Sequence, residues 1–106
     1  MADLAKLDEL QEDKKFDEVF DMLTAAVEED KDNAELLWRL SRANFDKSQE
    51  LPAGDKGREP FIHTGREWAE KAVAADGENW AAHKWLAITL SSEVCLSILV
   101  RYSIPY

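Results

Sequence analysis

Apolar residues recur along this chain at the three- and four-residue spacing of one helix face, and this period limits the possible folds more than any other feature. Asn33 and Asn79 each precede a further apolar run, and asparagine is a favoured helix N-cap. Alternating strand patterns are absent, so the sequence predicts an all-α protein. The two clearest stripes consist of Phe16, Val19, Phe20, Leu23, Ala26 and Val27, and of Phe61, Gly65, Trp68, Ala69, Ala72 and Val73.

The second half of the chain repeats the first. An offset of 46 residues aligns Asn33 with Asn79, and Leu40 with Leu86. A tetratricopeptide unit has about 34 residues, which leaves an excess of about 12 for one loop insertion. A polar stretch with Pro and Gly at about residues 48–60 has that length. The repeat predicts antiparallel helix hairpins of tetratricopeptide-repeat type, an α-solenoid fragment of about five to six helices.

The predicted elements divide the chain into a helical repeat domain and a tail. The domain covers residues 1–92, and the tail covers residues 93–106, where the composition becomes strongly apolar. Two interpretations of the tail stay open: a capping helix over the fifth helix, or an alternative or truncated chain end. An unpacked apolar tail would favour self-association. The predicted helices span about residues 3–11, 15–29, 34–47, 60–75 and 80–91, with a long loop at about 48–60.

The charge of the chain excludes some classes of partner. Its 22 acidic and 13 basic residues give a net charge of -9, which argues against nucleic acid and anionic membrane surfaces. The single Cys95 cannot form an internal disulfide, and no stretch reaches the roughly 18 apolar residues of a membrane segment. The N-terminus does not resemble a secretory signal. These features favour a cytoplasmic protein with no membrane segment.

The sequence gives no sign of catalytic or cofactor chemistry. His63, His83 and Cys95 lack the spacing of a metal site, so no metal or cofactor is predicted. The segment from Gly54 to Gly57 lacks the full pattern of a phosphate-binding loop. The numerous carboxylates fit a solvated helix face better than an acid–base pair. We therefore predict that the chain is not an enzyme.

Five residues are candidates for binding a protein partner: Arg39, Arg42, Arg66, Lys84 and Trp85. The four bases lie on or beside the repeat helices and could form a local basic strip that holds an acidic peptide or a C-terminal carboxylate. Tryptophan is a strong anchor at interfaces. The simpler interpretation is that the bases pair with nearby acids and that the tryptophans pack between helices.

Two segments point to a family. Residues 33–43 read NAELLWRLSRA and residues 78–88 read ENWAAHKWLAI. These segments resemble the regulators of microtubule dynamics, a family of tetratricopeptide-like proteins, and the likeness extends from about Leu4 to Ser92. The resemblance implies association with microtubules and the mitotic spindle, and therefore with the cytoskeleton.

The acidity of the chain complicates direct contact with microtubules, whose surface is also acidic. Binding would need a local basic face or an intermediary protein. Two alternatives to the microtubule role stay open: a generic adaptor or cochaperone-like module that binds a peptide segment, and a truncated isoform without independent activity. The sequence does not predict an oligomeric state.

Overall fold

The structure, a computed structural model, describes residues 3–101. In this range the chain forms five helices and no strand, which confirms the predicted all-α class. None of these helices combines the length and apolar character needed to cross a bilayer. The helices are α1 (Leu4–Glu12), α2 (Phe16–Glu29), α3 (Ala34–Gln49), α4 (Arg58–Ala75) and α5 (Trp80–Arg101).

Side-chain caps fix the starts of three helices. The Asp3 carboxylate accepts a hydrogen bond from the Lys6 amide at 3.1 Å. The Asn33 side chain accepts from the Glu35 and Leu36 amides at 3.0 and 3.4 Å. Asn79 accepts from the Ala82 amide at 3.2 Å. Each cap satisfies first-turn amides that have no partner within the helix. Both predicted asparagine caps are confirmed.

Helix α3 lies at the centre of the helix packing. It packs against α2, α4 and α5, and its contact with α4 is the most extensive in the described chain. Arg39 and Arg42 also join it to Asp8 of α1. Burial of leucine, valine and alanine side chains removes apolar surface from water and stabilises this arrangement. The core consists of Leu7, Leu10, Val19, Leu23, Val27, Leu36, Leu37, Leu40, Ala43, Ala72 and Ala82.

Gly65 allows three helices to approach closely. A Cβ atom at this position would lie 3.2 Å from the Ser41 carbonyl oxygen, 3.4 Å from Asn44 Cβ and 3.4 Å from Thr89 Cγ2. Ser41 and Asn44 belong to α3, and Thr89 belongs to α5. The missing side chain thus leaves the space in which α4 packs against both neighbours.

The loop between α3 and α4 is shorter than the sequence predicts. It covers residues 50–57 instead of about 48–60, because α3 continues to Gln49 and α4 begins at Arg58. Ser48 is buried and its hydroxyl donates to the Phe45 carbonyl oxygen at 2.5 Å. Arg58 donates to the Leu51 carbonyl oxygen through Nε and Nη2, at 3.0 and 2.6 Å. These contacts hold both ends of the loop against the helices.

The predicted end of the fifth helix at Ser91 is wrong. Helix α5 continues without a break to Arg101, so residues 93–101 prolong it and do not fold back as a capping helix. No Gly or Pro interrupts this stretch, and the Ser92 hydroxyl donates to the Ile88 carbonyl oxygen at 2.9 Å within the helix. Val94 and Ile98 are exposed on its surface. The remaining tail, residues 102–106, lies outside the described residues.

Replacing Gly65 with Val should destabilise the fold. The added atoms would meet backbone and side chains on two other helices, and overpacking of this kind costs about 1–3 kcal/mol. Gly77→Val is the matched control, because a Cβ there has ordinary contact at 3.7 Å with the Val73 carbonyl oxygen. Urea unfolding followed by circular dichroism measures both. Equal free energies of unfolding for the two variants would contradict the close packing at Gly65.

Candidate functional site

An open groove lies between the first halves of α3 and α5 and has a volume of about 420 Å³. The cap at Asn33 fixes the start of α3, and Asn79 fixes the start of α5, so both walls are held at their N-terminal ends. We call this surface the tryptophan groove. It is lined by Glu35, Trp38, Arg42, Glu78, Asn79, Trp80, Ala81, Lys84 and Trp85.

The groove contains both tryptophan rings and cations. The Lys84 Nζ atom lies 5.7 Å from the Trp80 ring centroid and 5.8 Å from the Trp85 ring centroid. The Arg42 Cζ atom lies 5.1 Å from the Trp38 ring centroid. Trp80 is 73% exposed, an unusual amount for this side chain. Trp85 is half-buried and packs against Phe45 with a centroid distance of 5.8 Å. The groove therefore offers aromatic faces and positive charge together.

Glu35 holds the two walls of the groove together. Its Oε2 atom accepts a hydrogen bond from Trp38 Nε1 on the same helix. The same atom accepts from Arg39 Nη1 and from Asn79 Nδ2, each at 3.4 Å. Since Asn79 caps the N-terminus of α5, this carboxylate links the two helices. Its charge is already engaged by groups of the protein itself.

Arg39 lies behind the groove in an ion pair with α1. Its Nε and Nη2 atoms donate to the two carboxylate oxygens of Asp8, both at 3.0 Å, and Arg39 is only 7% exposed. Arg42 donates to the same carboxylate through Nη2 at 3.3 Å. The hydrogen bond from Arg39 is the main cause that lowers the pKa of Asp8. Burial lowers the pKa of the Arg42 guanidinium, and Asp8 only partly offsets this effect.

Arg66 lies at a different place, between α4 and the second half of α5. Its Nε atom donates to Glu93 Oε2 at 3.0 Å, and Nη1 donates to Glu70 Oε1 at 2.5 Å. His63 Nδ1 also lies 3.0 Å from Glu93 Oε2. Burial raises the pKa of Glu93, but hydrogen bonds from Arg66 and His63 outweigh it and leave the pKa lowered. This cluster fastens α5 to α4.

The structure brings together three of the five predicted partner-binding residues. Arg42, Lys84 and Trp85 line the groove, whereas Arg39 is buried in its ion pair and Arg66 pairs with Glu93 elsewhere. Whether the three bind a partner stays a prediction. The sequence-based choice missed Trp38 and Trp80 as lining residues. The repeat could have indicated Trp38, because the offset of 46 residues places it at the position equivalent to Lys84.

The described chain is thus an all-helical protein of packed hairpins with an open, tryptophan-lined groove. A family model described as "Regulator of microtubule dynamics protein 1-3" matches residues 3–97. The chain belongs to the family of regulators of microtubule dynamics. This confirms the predicted resemblance and extends it five residues past Ser92.

Individual relatives agree with this assignment. The chain is 34% identical over 88 residues to Regulator of microtubule dynamics protein 1 of Pongo abelii, covering 83% of this chain and 27% of the relative. It is 32% identical over 87 residues to the protein of the same name in Bos taurus, covering 82% and 27%. The chain therefore spans little more than a quarter of these relatives' length. No solved structure matches it significantly.

Replacing Asp8 with Asn should destabilise the fold in a pH-dependent way. The pKa of Asp8 is lowered from 3.8 in the folded chain, so the ion pair stabilises fully above that value and less as pH falls through the folded pKa. Because the Asp8 side chain is 46% exposed, we expect a discounted loss of about 1–2 kcal/mol at pH 7. The loss should vanish at acid pH. Urea unfolding at a series of pH values measures it.

Asp17→Asn provides the control for this ion pair. Asp17 of α2 pairs with Lys47 of α3, but its side chain is 74% exposed. Exposed pairs contribute little, so we expect a change below about 0.5 kcal/mol. If Asp8→Asn destabilised the chain equally at every pH, the charge of Asp8 would not be the cause.

Proposed function

We propose that this chain is a non-enzymatic protein-interaction module of tetratricopeptide type that takes part in regulating microtubule dynamics. Its partner-binding surface is the tryptophan groove. The observation that carries the proposal is the presence of Trp38, Trp80 and Trp85 in one open groove, with Trp80 73% exposed. Aromatic residues in such positions supply most of the binding energy at many protein interfaces.

Hydrogen-bonded carboxylates support the walls of the groove. Glu35 accepts three hydrogen bonds, and Asp8 is shared by two arginines. These hydrogen bonds hold the side chains beside the groove in one arrangement, which supports its use as a binding surface. The microtubule role of the proposal is supported by the family and by the names of the relatives, each called a regulator of microtubule dynamics.

Charge decides how the chain would reach a microtubule in the cytoplasm. The net charge of -9 repels the acidic microtubule surface out to roughly one Debye length, about 8 Å at physiological salt. In this proposal direct contact uses the groove, where Arg42 and Lys84 lie among aromatic faces. Recruitment by a microtubule-associated protein that binds in the groove is the second route.

Cosedimentation with polymerised tubulin tests the proposal. We expect the chain to pellet with pure microtubules or with microtubules that retain their associated proteins. Trp80→Ala should weaken pelleting by about tenfold, the effect of losing one interface anchor. The fold should survive this change, because Trp80 is largely exposed.

Met22→Ala is the matched control. Met22 is also an exposed apolar side chain, at 41%, but it lies on α2 outside the groove. Pelleting with pure microtubules would establish direct contact, and Trp80-dependent pelleting only with the associated proteins would establish indirect recruitment. Absence of pelleting in both preparations would overturn the microtubule role. Equal losses for Trp80→Ala and Met22→Ala would overturn the assignment of the groove.

A further inference from the structure

Lys84 is a cation in the groove without a carboxylate partner. Within residues 3–101, no Asp or Glu oxygen lies within ion-pair distance of its ammonium group. Its Nζ atom instead stands between the Trp80 and Trp85 rings, at 5.7 and 5.8 Å. The ammonium group thus retains its hydrogen-bond donors for an incoming acceptor.

Arg42 has spare donor capacity at the other wall of the groove. It makes one hydrogen bond at 3.3 Å to Asp8 Oδ1, an oxygen that already accepts from Arg39 at 3.0 Å. Its Nε atom is buried without a partner in the described chain. Two arginines therefore share the Asp8 carboxylate, and Arg42 makes the longer and weaker hydrogen bond to it. A partner cannot reach the buried Nε atom, but Arg42 Nη1 makes no hydrogen bond within the described residues and is the nitrogen that would donate to a second carboxylate.

The lining of the groove carries two acids, Glu35 and Glu78, beside its two cations, so its formal charge is zero. Glu35 is held by Trp38, Arg39 and Asn79. Glu78 lines the rim and has no ion pair in the described part of the chain. The groove is therefore less acidic than a chain with a net charge of -9 would offer on average.

Resting on the proposed function, we propose that the tryptophan groove binds an acidic segment of a partner protein. Carboxylates of the segment would pair with Lys84 and Arg42, and its apolar atoms would cover the exposed faces of Trp80 and Trp85. Charge complementarity selects the acidic side chains, since these two cations are the groove's underused donors. The aromatic faces supply the apolar contact that binding needs in addition to charge.

Fluorescence anisotropy with labelled peptides tests this inference. The probe is a 12-residue peptide of alternating Glu and Gly with one central Phe, and matched peptides carry Gln or Lys in place of Glu. We expect the Glu peptide to bind at least about fivefold more tightly than the Gln peptide, the effect of one to two charge-assisted contacts. Equal affinities, or tighter binding of the Lys peptide, would overturn the inference.

Three charge variants locate the binding site. Lys84→Gln should weaken binding of the Glu peptide by about threefold or more, and Glu78→Gln should strengthen it by about twofold. Lys71→Gln is the matched control, because Lys71 Nζ also lies over a tryptophan, 4.8 Å from the Trp68 ring, but on α4 outside the groove. Circular dichroism verifies that each variant is folded. Equal losses for Lys84→Gln and Lys71→Gln would overturn the assignment to the groove.

Two further comparisons distinguish a protein segment from nucleic acid, and distinguish binding of an acidic segment from the microtubule role. A single-stranded oligonucleotide of the same net charge that displaced the Glu peptide and bound more tightly would overturn the choice of a protein segment. Groove-dependent binding of the Glu peptide without cosedimentation would support the acidic segment and remove the microtubule role. Cosedimentation together with equal affinities for the Glu and Gln peptides would support the microtubule role and overturn the inference of an acidic segment.

Discussion

The close approach of three helices at Gly65 is the constraint on which the rest of the structure depends. A side chain there would press on the Ser41 carbonyl oxygen of α3 and on Thr89 of α5, at 3.2 and 3.4 Å from its Cβ. Helix α5 packs against both α3 and α4, so the space left by this glycine sets where α5 lies beside α3. The tryptophan groove is the gap between those two helices. Gly65 therefore influences the shape of the groove, although it does not line it.

Helix α1 does not line the groove, but its Asp8 determines how the arginines of α3 are paired. Asp8 of α1 binds Arg39 through both oxygens and Arg42 through one, which neutralises Arg39 and leaves Arg42 with unused donors. Asp46 of α3 accepts a hydrogen bond from Gln11 of α1 at 2.5 Å, and burial raises its pKa. Asp8 and Asp46 thus both help to fasten α1 to α3.

Local signals in the sequence predicted much of the fold and less of the site. Asn33 and Asn79 marked helix starts because a cap is a contact between near neighbours. Arg58 holds the loop after α3 through a hydrogen bond to the Leu51 carbonyl oxygen, a contact that the sequence does not signal. The absence of Gly and Pro from residues 92–101, in contrast, could have indicated that α5 continues past Ser91. Arg39 and Arg66 each pair with a carboxylate four residues away, Glu35 and Glu70, and this spacing can be read from the sequence. Their other partners, Asp8 and Glu93, lie 31 and 27 residues away. Sequence spacing carries no signal for such pairs.

The central claim is that the groove between α3 and α5 is the surface that binds a partner. The indole N–H signals of the four tryptophans, in a ¹⁵N-labelled sample titrated with the acidic peptide, test it most directly. Trp38, Trp80 and Trp85 line the groove, whereas Trp68 lies on α4 outside it. We predict that the three groove signals shift with one common affinity and that the Trp68 signal stays in place. A shift of Trp68 alone, or equal shifts of all four, would contradict the account.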